Sequence, residues 1–378
     1  MTMTSKERVQ RALNHQEPDR IPIDTGGWLS GICYIAYDNL KKKLGIESER
    51  RWLGWITGTV QLDEEVLQRF HVDTRYVYPK EAADYDPQWR DGNSFVDEFG
   101  IRWTKPPTSY YYDQETHPFE KLGINDIEKY DWPDPKAKGR DIGLKEQAKK
   151  ISDAGYAVLT VVPGPFEFTQ YLRGMGPLFM DTIENPAYFC KLLDKVTEVL
   201  IGLNDRFLDT VGEYLDCFLF FSDYGNQRGS LINPKSWRKL VKPREAELVK
   251  ALKRKTKAKI AFHTCGSAWD HLDDLVEIGV DVLNPVQISA ANMDPYILKK
   301  KYGDVLSFWG GVDQQEVLPK GSPERVREES RKMICALGKG GGYLFGSCHN
   351  IQNDVPPENI IALFEEGYNF GKYPLLCK

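Results

Sequence analysis

Two residues apart, His263 and Cys265 close the stretch KAKIAFHTCGS (257–267). A neutral imidazole and a thiolate are borderline-to-soft ligands, a pairing that suits Zn2+ and its tetrahedral preference. Cys348 follows GYLFGS (342–347) and would make a third ligand, leaving a fourth position open for chemistry. His349 comes directly after Cys348, so which of the two points inward stays open. His-x-Cys alone signals little, because strand ends are packed with such residues in many chains. The third residue gives it weight. Glu167 in PGPFEF (163–168) and Asp223 with Gln227 in SDYGNQ (222–227) follow other apolar runs. They can supply a proton, a fourth ligand or substrate hydrogen bonds, although loop capping and turn hydrogen bonds explain such positions equally well.

These residues meet only if the chain brings strand ends together. Runs of strand length, apolar and β-branched or aromatic, occur at 20–25, 74–79, 157–164, 217–223, 258–263, 281–286, 305–310 and 342–347. Amphipathic helical stretches at 192–212, 233–255, 268–279, 322–338 and 356–373 separate or follow the later ones. Asn233-Pro234 and Ser322-Pro323 place a capping residue before a first-turn proline. Repeated βα units of this number predict a single (β/α)8 barrel over 1–378, with a doubly wound open sheet as runner-up. In a barrel, the strand ends carrying His263, Cys265, Asp223 and Cys348 share one mouth. The spacing is uneven, for an insertion at about 80–155, rich in Tyr, Trp, Pro and Asp, lies between the second and third runs. It is expected to hold a hairpin at NSFVDEFGIRW (93–103) and to act as a lid, a partner surface or a plain surface excursion.

Composition removes several classes of function. A net charge of −5 and a pI near 5.8 give no long-range field for nucleic acid or an anionic membrane. The polar start lacks the apolar core of a signal peptide, and no segment approaches the roughly 18 apolar residues of a membrane span, so a cytoplasmic protein is expected. Seven scattered cysteines (33, 190, 217, 265, 335, 348 and 377) read as free thiols rather than a disulfide framework. Trp28, Tyr34, Tyr37, Phe308 and Trp309 can line an apolar pocket, though aromatics in such positions are more often core. His15, His71 and His117 lie away from strand ends and are expected at the surface or in the core.

The stretches PDRIPIDTGG, GPFEFTQYLRGMGPLFMDTIENP, DYGNQRGSLINPKSW, FHTCGSAWDHLDDLVEIGVDVLNPVQ, FWGGVDQQEVLPKGSPERVREE and HNIQNDVPPENI resemble, in order and spacing, the uroporphyrinogen decarboxylase superfamily. The resemblance covers nearly the whole chain and implies a (β/α)8 barrel with its site at the C-terminal mouth. It also implies one of two chemistries: metal-free decarboxylation of a porphyrinogen, or zinc-dependent methyl transfer with a corrinoid protein. The decarboxylases carry an arginine-rich loop after the first strand, to hold a substrate with many carboxylates. Here DTGGWLSGICYIAYDNL (24–40) contains no Lys or Arg, although Asp73 resembles the decarboxylases' functional aspartate. His263, Cys265 and Cys348 resemble the zinc ligands of the methyltransferase branch, while counting back from PPENI aligns the family cysteine nearer His349. The chain has no Asp-x-His-x-x-Gly of the kind that ligates cobalt, so the corrinoid (cobalamin) would arrive on a separate protein.

The resemblance thus implies methyl transfer between a small methylated substrate and the cobalt of that partner, and the aromatics and protic groups at the strand ends favour a methyl ether, such as a methoxylated aromatic, as donor to Co(I). Its alternatives are a methylcorrinoid:thiol methyltransferase, a tetrapyrrole decarboxylase or a non-catalytic binding protein. In the first reading Glu167, Asp223 and His349 are catalytic, and Trp28, Tyr34, Gln227 and Trp309 bind substrate. A homodimer is left open.

Overall fold

Seven of the eight runs pair as one parallel sheet in the computed structural model, which describes residues 3–89 and 92–377. From one edge to the other the strands are Thr74–Tyr76, Ala157–Pro163, Cys217–Phe221, Lys259–His263, Val282–Asn284, Ser307–Trp309 and Tyr343–Leu344. Each lies beside its neighbour in the chain, as successive right-handed βα units require. Alternation within each strand builds two layers of core. Leu159, Val161, Leu219, Ala261, Val282 and Leu344 fill the inside of the ring, while Val158, Phe218, Phe220, Ile260, Phe262 and Leu283 pack outward under the helices.

The first run closes the ring without forming a regular strand. Ile23 bridges Phe345 in parallel. Asp24 N–H donates to Phe345 O (2.9 Å), Phe345 N–H to Pro22 O (2.9 Å) and Asp73 N–H to Ile23 O (2.9 Å). Pro22 has no N–H to give, and the N–H of Ile23 is taken by the Asp73 carboxylate (2.8 Å). That carboxylate is fully buried and also accepts from Arg8 Nη1 (2.7 Å) and from Arg20 Nη1 and Nη2 (2.7 and 2.9 Å). One side chain therefore does the work of a strand partner. Because the first run touches both the second and the eighth, the sheet is a closed (β/α)8 barrel and the open doubly wound alternative is excluded.

The helices fall where capping and periodicity place them, except that 268–279 opens as a 3-10 turn, Trp269–His271, before Leu272–Ile278, and one longer run is divided. Pro186–Val211, Pro323–Leu337 and Pro357–Phe370 are continuous, whereas 233–255 is two helices, Pro234–Leu240 and Lys242–Lys255, separated at Val241. Pro243 cannot donate into the preceding turn, so the helix restarts there. Asn233 and Ser322 cap Lys235 N (2.9 Å) and Arg325 N (3.2 Å).

Besides the two-stranded ribbon Gly225–Asn226 with Gly229–Ser230, two small antiparallel sheets are appended. The predicted hairpin, Ser94–Val96 with Arg102–Thr104, gains a third strand at Asp113–Gln114. Its Phe95, Ile101 and Trp103 pack with Phe168, Leu172 and Leu192 into a second core. The other sheet, Ile32–Cys33, Thr59–Val60 and Trp52–Gly54, lies between the first two barrel strands and has no counterpart in the sequence reading. The reading of seven free thiols is corrected at one pair: Cys335 and Cys377 form a disulfide, 42 residues apart with Cα atoms 5.5 Å apart. The C-terminal segment folds back over its helix, with Tyr373 Oη donating to Gly338 O (2.5 Å), which brings Cys377 to Cys335. No helix among the described residues is long and apolar enough to cross a membrane.

Candidate functional site

His263 is the last residue of Lys259–His263, paired in register with Asn284 on one side and Phe221 on the other. Its Nδ1 is 2.5 Å from Asn284 Oδ1. An amide oxygen only accepts, so the ring proton sits on Nδ1 and the Nε2 lone pair is free. Nε2 faces Cys265 Sγ at 3.4 Å. The loop carrying Cys265 is held at consecutive peptide groups: Cys265 N–H donates to Asp223 Oδ1 (2.8 Å) and Gly266 N–H to Gln287 Oε1 (2.6 Å). It also touches the loop after Cys217–Phe221 backbone to backbone. A Cβ on Gly225 would lie 2.5 Å from Ser267 O and 2.8 Å from Cys265 O, and one on Gly266, whose φ is +77°, would lie 2.5 Å from Asn226 N. Only glycine fits either position.

The third member of this group is His349. Ligand atoms of His263, Cys265 and His349 all lie within 4.8 Å of one another, and the two imidazole rings are 5.2 Å apart at 73°. Cys348 falls outside the group. Its N–H donates to Val312 O (2.7 Å), and its thiol is buried, which pushes its pKa up. The pairing with Ser307–Trp309 ends at Leu344, and beyond it single parallel bridges, Ile23–Phe345 and Val312–Ser347, hold the chain. His349 thus joins His263 and Cys265, while the buried Cys348 thiol stays near enough to Cys265 to raise it further. His349 Nδ1 accepts the N–H of Asn350 (2.7 Å), so the neutral ring carries its proton on Nε2.

Two carboxyls back this group. Glu167 Oε2 accepts the N–H of Asp223 (3.0 Å), and burial, followed by the nearby Asp223, raises the Glu167 carboxyl to about 7. Burial also raises Asp223 and the Cys265 thiol and depresses both histidines. Among the described residues, no Lys or Arg forms an ion pair with Glu167 or Asp223. The site therefore consists of neutral electron-pair donors beside acids with no counterion. In such a setting a cation gains favourable interactions from every side.

The remaining residues divide. Trp309 is buried and donates Nε1–H to Asp24 Oδ2 (3.0 Å); Trp28 stacks on Tyr78 at 4.6 Å and 14°. Both join Phe221, Tyr76 and Tyr78 in the interior cluster, and Phe221 reaches the His263 ring at 6.5 Å. Tyr34 stands elsewhere, packed on Trp52 (5.4 Å) beneath Arg50 (4.8 Å). Gln227 is exposed in the turn between Gly225–Asn226 and Gly229–Ser230. Tyr37 and Phe308 are core, His71 stacks on Tyr368, and His117 Nδ1 lies 2.8 Å from Tyr171 O. Asp73 belongs to the closure described above. Sequence reasoning missed Asn284, Gln287 and Asp24, which accepts from Tyr76 Oη (2.8 Å) and Thr74 as well as Trp309. A polar residue ending or closely following an apolar run, as in DVLNPVQ and RIPID, was the available signal.

Residues 113–370 match the family described as Uroporphyrinogen decarboxylase (URO-D). A uroporphyrinogen decarboxylase from Ruthia magnifica is 28% identical over 197 residues, 50% of this chain and 51% of that one. Another, from Psychromonas ingrahamii, is 25% identical over 374 residues, 95% of each chain. A methylated-thiol–coenzyme M methyltransferase from Methanosarcina mazei is 22% identical over 306 residues, 77% of this chain and 76% of that one. Among solved structures, a methyltransferase from Methanosarcina mazei superposes with a TM-score of 0.69 at 17% identity, covering 97% of this chain and 99% of the other. That likeness is one of fold.

Proposed function

The chain belongs to the uroporphyrinogen decarboxylase family, and from that premise we propose that it is a zinc-dependent methyltransferase. It moves a methyl group from a small methylated substrate to the Co(I) of a separate corrinoid protein. The observation that carries this reading is the convergence of His263, Cys265 and His349. Two imidazoles and a thiolate suit Zn2+ and leave a fourth position open. His263 offers Nε2 with its tautomer already fixed by Asn284. His349 would supply the second imidazole, and its Nδ1 accepts the N–H of Asn350 in the metal-free chain. When bound, Zn2+ supplies Lewis acidity toward an ether oxygen.

The chain's own residues do the rest. Phe221, Trp28, Tyr78 and Trp309 form an apolar floor that suits the body of a methoxylated aromatic. As the methyl carbon leaves, the ether oxygen keeps the bonding electron pair and takes a proton, for which Glu167 is the donor. Asp223 holds the peptide of Cys265. The insertion at 80–155 serves as the surface that meets the corrinoid protein, and the cytoplasm is the setting. A second reading, with a methylated thiol in place of the ether, is favoured by the name of the Methanosarcina mazei relative. Decarboxylation of a tetrapyrrole draws less support. Residues 24–40 offer no cation, and Arg75 and Arg173 are already bound to Glu64 (2.6 Å) and Asp181 (2.7 Å).

Metal analysis gives about one Zn2+ per chain on this reading. His263→Ala, Cys265→Ala and His349→Ala each remove most of it, while Cys348→Ala retains it. Mixed with a reduced corrinoid protein and a methoxylated aromatic, the zinc form converts the corrinoid spectrum to that of its methylated form and releases the phenol. A zinc site that survives His263→Ala and Cys265→Ala, or efficient production of coproporphyrinogen, overturns the proposal.

A further inference from the structure

Glu245 sits on the helix Lys242–Lys255, outside the barrel wall, with none of its surface exposed. Its Oε1 accepts from Ser222 Oγ (3.1 Å) and from the hydroxyl of Tyr224. Those residues flank Asp223, whose Oδ1 accepts the N–H of Cys265. The same segment is tied to the His263 strand: Ser222 N–H donates to His263 O (3.0 Å) and Tyr224 N–H to Thr264 Oγ1 (3.0 Å). The Tyr224 ring lies on Phe262 at 5.5 Å and 21°.

Beyond these hydroxyls only the backbone N–H of Phe166, next to Glu167, favours the charged acid. Glu245 Oε2 has no hydrogen-bond partner, nor do Trp237 Nε1 and the two ring nitrogens of His271, whose rings are 4.8 Å apart beside Tyr224. Among the described residues no Lys or Arg forms an ion pair with Glu245. A carboxyl buried without a cation is costly, and an aliphatic residue would fill the space between helix and sheet without that cost. Its side-chain hydrogen bonds run to the two residues on either side of Asp223. A local rule broken in this way marks a functional constraint more often than a structural one.

We infer that Glu245 is a positioning residue for the candidate metal centre: by holding Ser222 and Tyr224 it sets Asp223, and through Asp223 the peptide that aims Cys265. The inference rests on the metal-binding reading above. It requires an acceptor at this position rather than a charge, so Glu245→Gln replaces Glu245 and Glu245→Ala does not.

The test uses the whole chain, with Zn2+ affinity read by competition with a chromophoric chelator and the thiolate–metal geometry read from the absorption spectrum of the Co2+-loaded protein. Thermal unfolding of the metal-free forms is recorded alongside. Glu245→Ala should weaken Zn2+ binding about tenfold or more and alter the cobalt bands, with Glu245→Gln within about twofold of wild type. Tyr224→Phe, which removes one of the two hydroxyls, should fall between them. A folded Glu245→Ala protein with wild-type affinity and spectrum overturns the inference, as does Glu245→Gln performing as poorly as Ala. If the alanine variant does not fold, Tyr224→Phe and Ser222→Ala carry the test, and unchanged affinity and spectrum in both overturn it. A wild-type chain that takes up no Zn2+ removes the metal centre itself. Wild-type uptake with indifferent variants removes only the role of Glu245.

Discussion

Replacing Asp73 separates two roles that one carboxylate can play. In a decarboxylase-like site it would touch substrate; in this structure its partners are Arg8, Arg20 and the N–H of Ile23. The Asp73 side chain is 0% exposed, and those of Arg8 and Arg20 are 8% and 10% exposed, so Asp73→Ala leaves Arg20 without its carboxylate and Arg8 with Asp19 alone. Removing one partner of a buried pair costs about 3–5 kcal/mol. The orphaned N–H of Ile23 adds about 1–3 kcal/mol. The sum, roughly 4–8 kcal/mol, is comparable with the whole stability of many domains. Asp73→Asn keeps the shape and one acceptor and should lose about half as much. Urea unfolding followed by circular dichroism measures both, with Zn2+ content determined on the folded fraction. If Asp73 closes the barrel, the midpoint falls steeply and whatever remains folded keeps its metal content. A variant that unfolds within about 1 kcal/mol of wild type while losing catalysis would refute that role and return Asp73 to the active site.

Two further outcomes follow from the same contacts. Gly225→Ala forces a Cβ to within 2.5 Å of Ser267 O and 2.8 Å of Cys265 O, so the two site loops separate. Overpacking of this kind costs about 1–3 kcal/mol, and chelator competition should show weaker Zn2+ binding; unchanged binding would mean that the loops are not mutually braced. Glu245 and Glu167 are both raised from 4.5 to about 7 by burial. In the metal-free protein the unfolded chain therefore releases these protons first. Their stabilisation is complete below pH 4.5 and is lost as pH rises to about 7. The loss is up to about 3 kcal/mol for each group. Glu245→Gln should remove about half of the slope, and a denaturation series at several pH values with no change in slope would refute the assignment.

Much of the barrel is legible in the sequence because strands covered on both faces need long apolar runs, and few other structures do. All eight runs take their places, but the first could not be foreseen as irregular. Its hydrogen bonding depends on Pro22 and on a carboxylate fifty residues away. The third member of the candidate metal group was ambiguous for a related reason. Strand alternation fixes side-chain direction only while the strand lasts, and Tyr343–Leu344 is two residues long before the chain bends. Glu245 was hidden in KPREAELVKALKRK, where a glutamate among lysines reads as a solvated helix face. The disulfide between Cys335 and Cys377 depends on how the last residues fold back, a matter on which spacing is silent.

The charges around the mouth weigh on the choice of chemistry more than the family does, since the family accommodates both. A substrate with many carboxylates needs cations aimed at it. Here Glu167 and Asp223 stand close to Cys265, while Arg8, Arg20, Arg75 and Arg173 are bound to Asp73, Glu64 and Asp181. Arg228, in the turn after Asp223, is exposed. A polyanion entering such a mouth meets like charge and pushes the two carboxyls further toward their neutral forms. A dication does the reverse: it offsets the cost of burying Glu167 and Asp223 and gives the Cys265 thiolate a partner. It also uses lone pairs that the depressed histidines keep free of protons. The same burial that makes the metal-free acids costly is thus what makes a cation the better-matched occupant.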